Sequence, residues 1–232
     1  MNPKVKKLLL FLLAGMFLAS CSKKSPTEPA NSEPTQLEIK KIEVPSGMKS
    51  SADPKAIQTV SLLNFVDTYK GLFQIPQTAV GDNGKFTWTR GNLSATMFQG
   101  NTDGKISWKL VLNGTENGKT YNNWVALQAG QSTDQKSGWM KIYKENSTEV
   151  ASKWTWTTDA NGKYTFTMVS NSTSVINKIE IISNPDHSGE LDQYTNNILT
   201  AKTIWDKDGN GQWWEYDEQG NITNSGSWKA SS

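Results

Sequence analysis

Short segments in which aromatic residues alternate with threonine constrain the fold of this chain more than any other feature. They lie at residues 86–89, 154–157 and 164–168. A period of two sends successive side chains to opposite faces of a strand, and aromatic and β-branched residues suit a pleated sheet. The sequence from Lys85 to the C-terminus therefore predicts β-strands.

Turn-forming pairs separate these segments. They occur at Asn83-Gly84, Asp103-Gly104, Asn117-Gly118 and Asn161-Gly162, and they favour type I′ hairpins because both central residues need positive φ. No long helical pattern interrupts the strands, which argues against a parallel βαβ architecture. We expect a mainly β fold, an antiparallel meander of about 8–10 strands that forms a half-barrel or a sandwich. The other strand candidates are residues 106–112, 124–127, 139–143, 179–182, 199–205, 212–216 and 222–228.

One helix is predicted before the strands. Asp53 suits the N-cap and Pro54 the first helical position. From there apolar residues recur every three or four positions as far as Phe73, and Gly71 and Pro76 bracket the end. The apolar stripe is broad, so we expect this N-terminal α-helix to pack on the sheet.

The beginning of the chain has the layout of a bacterial export signal. Lys4, Lys6 and Lys7 precede an apolar run over residues 8–18, which is shorter than a membrane-spanning helix needs. The following Leu18-Ala19-Ser20-Cys21 resembles the lipobox of bacterial lipoproteins. The resemblance implies removal of residues 1–20 and lipidation of Cys21, which would attach the protein to a membrane. In lipoproteins of this kind an aspartate after the cysteine signals retention in the inner membrane. Ser22 stands there in this chain, so the resemblance implies the outer membrane of the cell envelope.

Residues 21–53 are predicted to form the lipid anchor and a disordered tether. Five of the eight prolines fall between residues 26 and 54, among polar residues that cannot bury enough apolar surface to order the segment. The exception is 37–44, whose apolar residues are consistent with a short edge strand. We therefore expect a signal peptide (1–20), an anchor and tether (21–53) and one helix-plus-sheet domain (54–232).

The charge of the chain does not indicate a nucleic-acid partner. The formal net charge is +2, and removal of residues 1–20 with their three lysines brings it to −1. Nucleic-acid binding needs a clustered positive face. The single cysteine, Cys21, belongs to the anchor, and the single histidine, His187, lies among turn-forming residues. We therefore expect neither a thiolate nucleophile nor a multi-histidine metal site.

Five residues have the oxygen spacing of a calcium-binding loop: Asp206, Asp208, Asn210, Gln212 and Asp217. The flanking segments have strand patterns rather than helical ones, and the closing position is aspartate rather than the longer glutamate. A polar hairpin tip would use the same residue types. Calcium coordination and a simple turn therefore remain two interpretations, and no other cofactor is expected.

The ten tryptophans of the chain are the second feature that suggests binding. Trp213 and Trp214 are adjacent, so on a strand they must point to opposite faces. One of them would then be left to stack on a sugar ring or to line an acyl-chain site. Together with Tyr216 they are the predicted ligand-binding residues. Burial of both rings in packed layers is the alternative.

These features favour a lipid-anchored envelope protein whose β domain binds an amphiphile or a glycan without catalysis. The alternative is a structural or assembly lipoprotein that contacts other envelope proteins. A polysaccharide hydrolase is the third hypothesis. It ranks last because hydrolysis needs two facing carboxylates in a cleft, and nothing in the sequence places Glu215 and Asp217 in one. A deep apolar cavity would favour the amphiphile, and a flat exposed aromatic strip would favour contact with a glycan or a protein.

Overall fold

The computed structural model describes residues 34–68, 74–171 and 176–231, and this part of the chain contains two helices and thirteen strands. The helices are α1 (Ser46–Lys49) and α2 (Pro54–Thr68). The strands are β1 (Val80–Asp82), β2 (Lys85–Arg90), β3 (Leu93–Thr102), β4 (Lys105–Glu116), β5 (Lys119–Ser132), β6 (Ser137–Tyr143), β7 (Val150–Thr158), β8 (Tyr164–Ser170), β9 (Lys178–Ser183), β10 (Gly189–Thr195), β11 (Ile198–Trp205), β12 (Gly211–Tyr216) and β13 (Ile222–Trp228).

All thirteen strands form one open antiparallel sheet, in which each strand pairs with the next one along the chain. The predicted mainly β antiparallel meander is therefore confirmed. The sandwich alternative is wrong, because the strands belong to one sheet rather than two. The number of strands also exceeds the predicted range.

The unpredicted strands are β1, β3 and β10. In β10 the positions that face the core are Gly189, Leu191 and Gln193, so only one of them is a large apolar residue. In β3 the buried positions are Leu93, Ala95 and Met97. In β10 large apolar residues are mostly missing from the core-facing positions, and in β3 the small residue Ala95 interrupts them, which weakens the alternation on which the prediction depends. Strands β3 and β10 are ordered because both neighbouring strands pair with them.

The predicted type I′ turns form where two residues connect adjacent strands. Asn83 and Gly84 have φ values of 48° and 77°, and the pairs at Asp103-Gly104 and Asn117-Gly118 are similar. Asn161-Gly162 differs because it belongs to a longer loop in which only Gly162 has positive φ. In that loop the Asp159 carboxylate accepts hydrogen bonds from the backbone N–H groups of Asn161 and Lys163.

The residues before α1 cross the sheet instead of joining it. We call residues 34–45 the crossing segment. Its apolar side chains Leu37, Ile39, Ile42 and Val44 are buried. The segment forms no strand, so the edge strand predicted for 37–44 is wrong.

The crossing segment is held by side chains of the sheet rather than by strand pairing. The Nε1–H group of Trp108 in β4 donates to the Thr35 carbonyl at 3.0 Å. In β5, the Gln131 amide accepts from the Glu38 N–H and donates to the Glu38 carbonyl. These bonds satisfy backbone groups that a sheet would otherwise pair. The crossing segment, which was predicted to belong to the tether, therefore packs on the sheet.

Helix α2 begins where the sequence predicts. The Asp53 carboxylate accepts hydrogen bonds from the N–H groups of Lys55 at 2.8 Å and Ala56 at 3.3 Å, which is the geometry of an N-cap. The ring of Phe65 lies 6.4 Å from that of Trp154 on β7. The helix therefore packs on the sheet, and we call the face that α2 and the crossing segment cover the inner face.

Tryptophans on this sheet repeatedly cover a glycine on the neighbouring strand. In five register-matched pairs, a Cβ added to the glycine would overlap the tryptophan ring. Four pairs lie on the inner face, and the fifth lies on the opposite, outer face. The inner pairs are Gly138–Trp156, Gly189–Trp205, Gly211–Trp228 and Gly226–Trp213, and the outer pair is Gly130–Trp139.

Candidate functional site

The outer face over β3–β6 carries an open groove. Its side chains point away from the core because their chain neighbours, among them Met97, Trp108, Ala129 and Met140, are buried on the inner face. One row of paired residues crosses the groove, and Trp139 and Tyr143 lie on its β6 side. The row contains Phe98 of β3, Lys109 of β4, Gln128 of β5 and Lys141 of β6, each directly opposite the next.

Two exposed aromatic rings flank one half of the groove. Phe98 is 37% exposed and Trp139 is 38% exposed. Between them lies a depression of about 370 Å³, whose floor includes the small residues Gly100 and Ser107. Gly130 lets the Trp139 ring lie flat against the sheet. A Cβ at residue 130 would come within 2.6 Å of the indole Nε1.

The other half of the groove is lined by amides and hydroxyls. This depression measures about 730 Å³ and shares Gln128 with the first one. The Tyr143 hydroxyl donates to the Gln128 Oε1 at 2.6 Å, which fixes both side chains at the junction. The other residues that line this second depression are Thr120, Asn122, Asn123, Trp124, Val125, Asn146, Ser147 and Thr148.

Lysines lie against the aromatic rings of the groove. The Nζ atom of Lys109 is 4.8 Å from the centroid of the Phe98 ring, and that of Lys85 is 6.0 Å from it. The Lys141 Nζ lies 5.6 Å from the Trp139 ring. These are distances at which cations interact with an aromatic face, so the groove combines stacking surfaces with positive charge.

The lining of the groove offers groups suited to binding. Among the described residues, no aspartate, glutamate or histidine lines either depression. Amides and hydroxyls donate and accept hydrogen bonds, and aromatic rings offer flat apolar surfaces.

The predicted ligand-binding residues lie elsewhere, on β12. Trp213 points to the inner face, where the Lys55 Nζ is 4.7 Å from its ring centroid and where it covers Gly226. Trp214 and Tyr216 point to the opposite face, and all three side chains are half-buried. The structure therefore separates the two tryptophans as predicted and does not bring them to the groove.

The five residues of the predicted calcium loop are not brought together. Asp206 and Asp217 flank opposite ends of β12, a strand that spans about 20 Å. Each carboxylate caps its own hairpin: Asp206 accepts from Asn210, and Asp217 accepts from Asn221. In the part of the chain that the structure describes, no group of three or more histidine, cysteine, aspartate or glutamate side chains could hold a metal ion.

The remaining predicted ligands of that loop belong to the same hairpin or to β12. Asp208 lies at its tip, where its carboxylate contacts Lys207 at 2.8 Å. The Asn210 Oδ1 accepts from the Ala230 N–H at 3.0 Å, and Gln212 is exposed on β12. The arrangement is that of a hairpin tip tied to the C-terminal residues.

Cys21 lies outside the described residues. Among those that are described, no helix has the length and apolar character needed to cross a membrane.

The groove residues carried a weak signal in the sequence. On four strands a lysine directly adjoins a large buried residue, so it must point outward. These neighbours are Lys85-Phe86, Trp108-Lys109, Met140-Lys141 and Lys153-Trp154. Only the register of the sheet shows that they share one row.

Comparison with models of protein families and with characterised proteins found no match to this chain.

Proposed function

We propose that this protein is a lipid-anchored component of the bacterial envelope whose β domain binds a glycan without catalysis. The observation that carries the proposal is the outer groove, which is open, flanked by the exposed rings of Phe98 and Trp139, and lined by amides and hydroxyls. A sugar presents apolar C–H faces and polar hydroxyl edges. The groove offers a complementary surface to each of them.

The two halves of the groove favour an extended ligand. Gln128 belongs to both depressions, so a chain of several sugars could contact the aromatic half and the amide half together. Tyr143 already hydrogen-bonds to Gln128, which fixes the junction before a ligand binds. Such preorganisation lowers the entropy cost of binding.

An amphiphile is the weaker alternative, because the inner face is filled by packed side chains. Trp154, Trp156, Phe166 and Leu191 are each at most 2% exposed. The two depressions described above are open and lie outside this core. An acyl chain needs an enclosed apolar cavity, and neither depression provides one.

The anchor is part of the proposal and rests on the lipobox at Cys21. Residue 34 is the first residue that the structure describes, and the chain between it and Cys21 could span at most about 40 Å. The β domain would therefore stay close to the membrane, and we propose the outer membrane as its site. Radiolabelled palmitate should label the full chain in cells, and Cys21→Ser should abolish the label. Equal labelling of both would overturn the anchor.

Affinity electrophoresis tests glycan binding with the full chain in detergent micelles. Gels would contain xylan, polygalacturonate or the methyl ester of polygalacturonate. We expect at least one polysaccharide to retard the protein, and the double variant Phe98→Ala/Trp139→Ala to bind it about tenfold more weakly. Trp214→Ala is the matched control and should bind normally. No retardation by any of the three, or equal retardation of the double variant, would overturn the proposal.

A second candidate function is contact with another envelope protein through β13. This strand is exposed except at Trp228 and pairs only with β12 among the described strands. It contains neither a charged residue nor a proline, which are the usual protections of a sheet edge. A photocrosslinker at Thr223 should then trap a protein adduct in intact cells, whereas one at Lys163 should not.

A further inference from the structure

We infer that the ligand of the outer groove is an anionic polysaccharide, held by a row of lysines that crosses the sheet. This inference rests on the proposed glycan-binding function and specifies its ligand class. It follows from the register of the sheet, from the absence of ion pairs along the row in the described part of the chain, and from the distribution of acidic residues.

The row runs across β2 to β7 in directly opposed positions. Lys85 lies opposite Phe98, which lies opposite Lys109; Gln128 and then Lys141 and Lys153 follow. Strands are about 4.8 Å apart, so Lys85, Lys109 and Lys141 on alternate strands are about 10 Å apart, whereas Lys141 and Lys153 on adjacent strands are about 5 Å apart. The row therefore presents charge at intervals along a line rather than at one point.

These lysines have no carboxylate partner among the described residues. No ion pair within 4.0 Å involves Lys85, Lys109, Lys141 or Lys153 there. By contrast, Lys202 on β11 lies within reach of Glu190 and Asp192. Lys109, Lys141 and Lys153 also have no acidic residue directly opposite them, so their charges remain available to a ligand.

Apart from the β1 end of the row, the acidic residues of the sheet lie away from it. Asp82 on β1 is directly opposite Lys85, whereas across β2–β8 the one acidic residue within a strand is Glu116, at the end of β4. Glu180, Glu190 and Asp192 lie on β9 and β10. The net charge of the chain conceals this separation, which creates a local field attractive to anions.

The groove favours a carboxylated glycan over a nucleic acid or a lipid surface. Its cations are lysines, and the row contains no arginine, the residue suited to bidentate phosphate contacts. Its lining of amides and hydroxyls matches sugar hydroxyls. A groove with an aromatic ring on each side fits a polymer chain better than a flat bilayer surface.

The experiment compares polygalacturonate with its fully methylated ester, which has the same backbone without charge. Affinity of the detergent-solubilised full chain for each would be measured by affinity electrophoresis at two salt concentrations. The variant is Lys109→Gln/Lys141→Gln, and the matched control is Lys163→Gln, an exposed lysine at the β7–β8 hairpin. Far-ultraviolet circular dichroism would check that each variant folds.

We expect tighter binding of the acidic polymer, weakened by salt, and a loss of about two- to fivefold for each substituted lysine. Binding of the methyl ester should not be weakened by salt or by the lysine substitutions. The Lys163→Gln control should bind polygalacturonate as tightly as the wild type. Equal binding of polygalacturonate and its ester would overturn this inference and leave the proposed glycan-binding function intact. Binding of neither would remove the basis of both. Equally tight binding of DNA, or of vesicles containing phosphatidylglycerol, would overturn the polysaccharide class.

Discussion

The inner and outer faces of this sheet use the same local device with different results. On the inner face Trp228 covers Gly211 and is 5% exposed, whereas on the outer face Trp139 covers Gly130 and is 38% exposed. A ring laid over a cross-strand glycine is held in one orientation in both places. What differs is the layer above it, and that layer decides whether the ring stabilises the fold or is presented to a ligand.

The inner face is covered by the crossing segment and α2, which bury Leu37, Ile39 and Leu63 against it. The outer face over β3–β6 has no covering element among the described residues. Lysines lie beside aromatic rings on both faces, but on the outer face the rings of Phe98 and Trp139 are exposed. Packing therefore accounts for the inner face, and we propose that binding accounts for the exposed rings of the outer face.

The largest expected difference between the faces is in the free energy of unfolding after one tryptophan is removed from each. Trp154 is 1% exposed and packs at 5.5 Å from the Phe166 ring. Trp154→Ala should lower the free energy of unfolding by about 3–5 kcal/mol. Trp139→Ala should cost less than about 1 kcal/mol while weakening glycan binding. Urea titration would measure both variants, and equal destabilisation would contradict the distinction between the faces.

Loss of the Gln131 amide should release the crossing segment. Gln131 is 3% exposed and bonds to both backbone groups of Glu38. Gln131→Ala would leave buried polar groups without partners and should cost about 2–3 kcal/mol. Hydrogen exchange of residues 37–44 should accelerate. Unchanged exchange there would show that apolar burial alone holds the segment.

Alanine in place of each covered glycine should distinguish the faces by stability. A Cβ at Gly211 would overlap the buried Trp228 ring, so Gly211→Ala should cost about 1–3 kcal/mol. Gly130→Ala would displace a ring that can move into solvent. It should therefore change glycan affinity more than the unfolding free energy. Equal losses of stability in thermal denaturation would contradict this expectation.

The smallest expected effect is a pH dependence that arises from the outer face of β10. Burial raises the pKa of Asp192 to about 6, with a further contribution from Glu190 that Lys202 opposes. Because the folded state holds this proton more tightly than the unfolded state, stability should fall as pH rises from about 4 to about 6. After allowance for solvent screening the effect should be about 1 kcal/mol.

Asp192→Asn should flatten the stability profile in that pH window. Below about pH 4 the hairpin carboxylates have the opposite effect, because their protonation lowers the free energy of unfolding as the pH falls. The pKa of Asp217 is lowered by hydrogen bonds from Asn221, so its stabilising contribution is lost on acidification. The pKa values of Glu145 and Glu215 are also lowered, so their contributions rise with pH in part of this window. The same profile from pH 4 to pH 6 for the wild type and Asp192→Asn would therefore contradict the assignment to Asp192.

Local features of the fold could be predicted from the sequence, and features that depend on long-range register could not. The Asp53-Pro54 helix start and the Asn83-Gly84 turn follow from backbone preferences within a few residues. The crossing segment has strand-like composition, and its path depends on Gln131, which lies 93 residues from Glu38. No local rule specifies such a pairing.

The groove was beyond prediction for the same reason. Lys85 and Lys153 belong to one row only after every hairpin and bulge between them is counted. A bulge in the β4–β5 pairing shifts the register between Leu110 and Val111, and such a slip exchanges the faces of a strand. The adjacent pair Trp213-Trp214 was visible in the sequence, whereas Phe98 and Trp139 lie on strands β3 and β6, and only the fold places them on either side of one depression.

Hydroxyl-radical footprinting of the full chain, with and without polygalacturonate, tests most directly whether the outer face over β3–β6 is the binding surface. Oxidation of Phe98 and Trp139 should fall on addition of the polymer, while oxidation of Trp213 and Trp214 should not change. Protection of Trp213 and Trp214 with no change at Phe98 and Trp139 would contradict the assignment and place the ligand on β12.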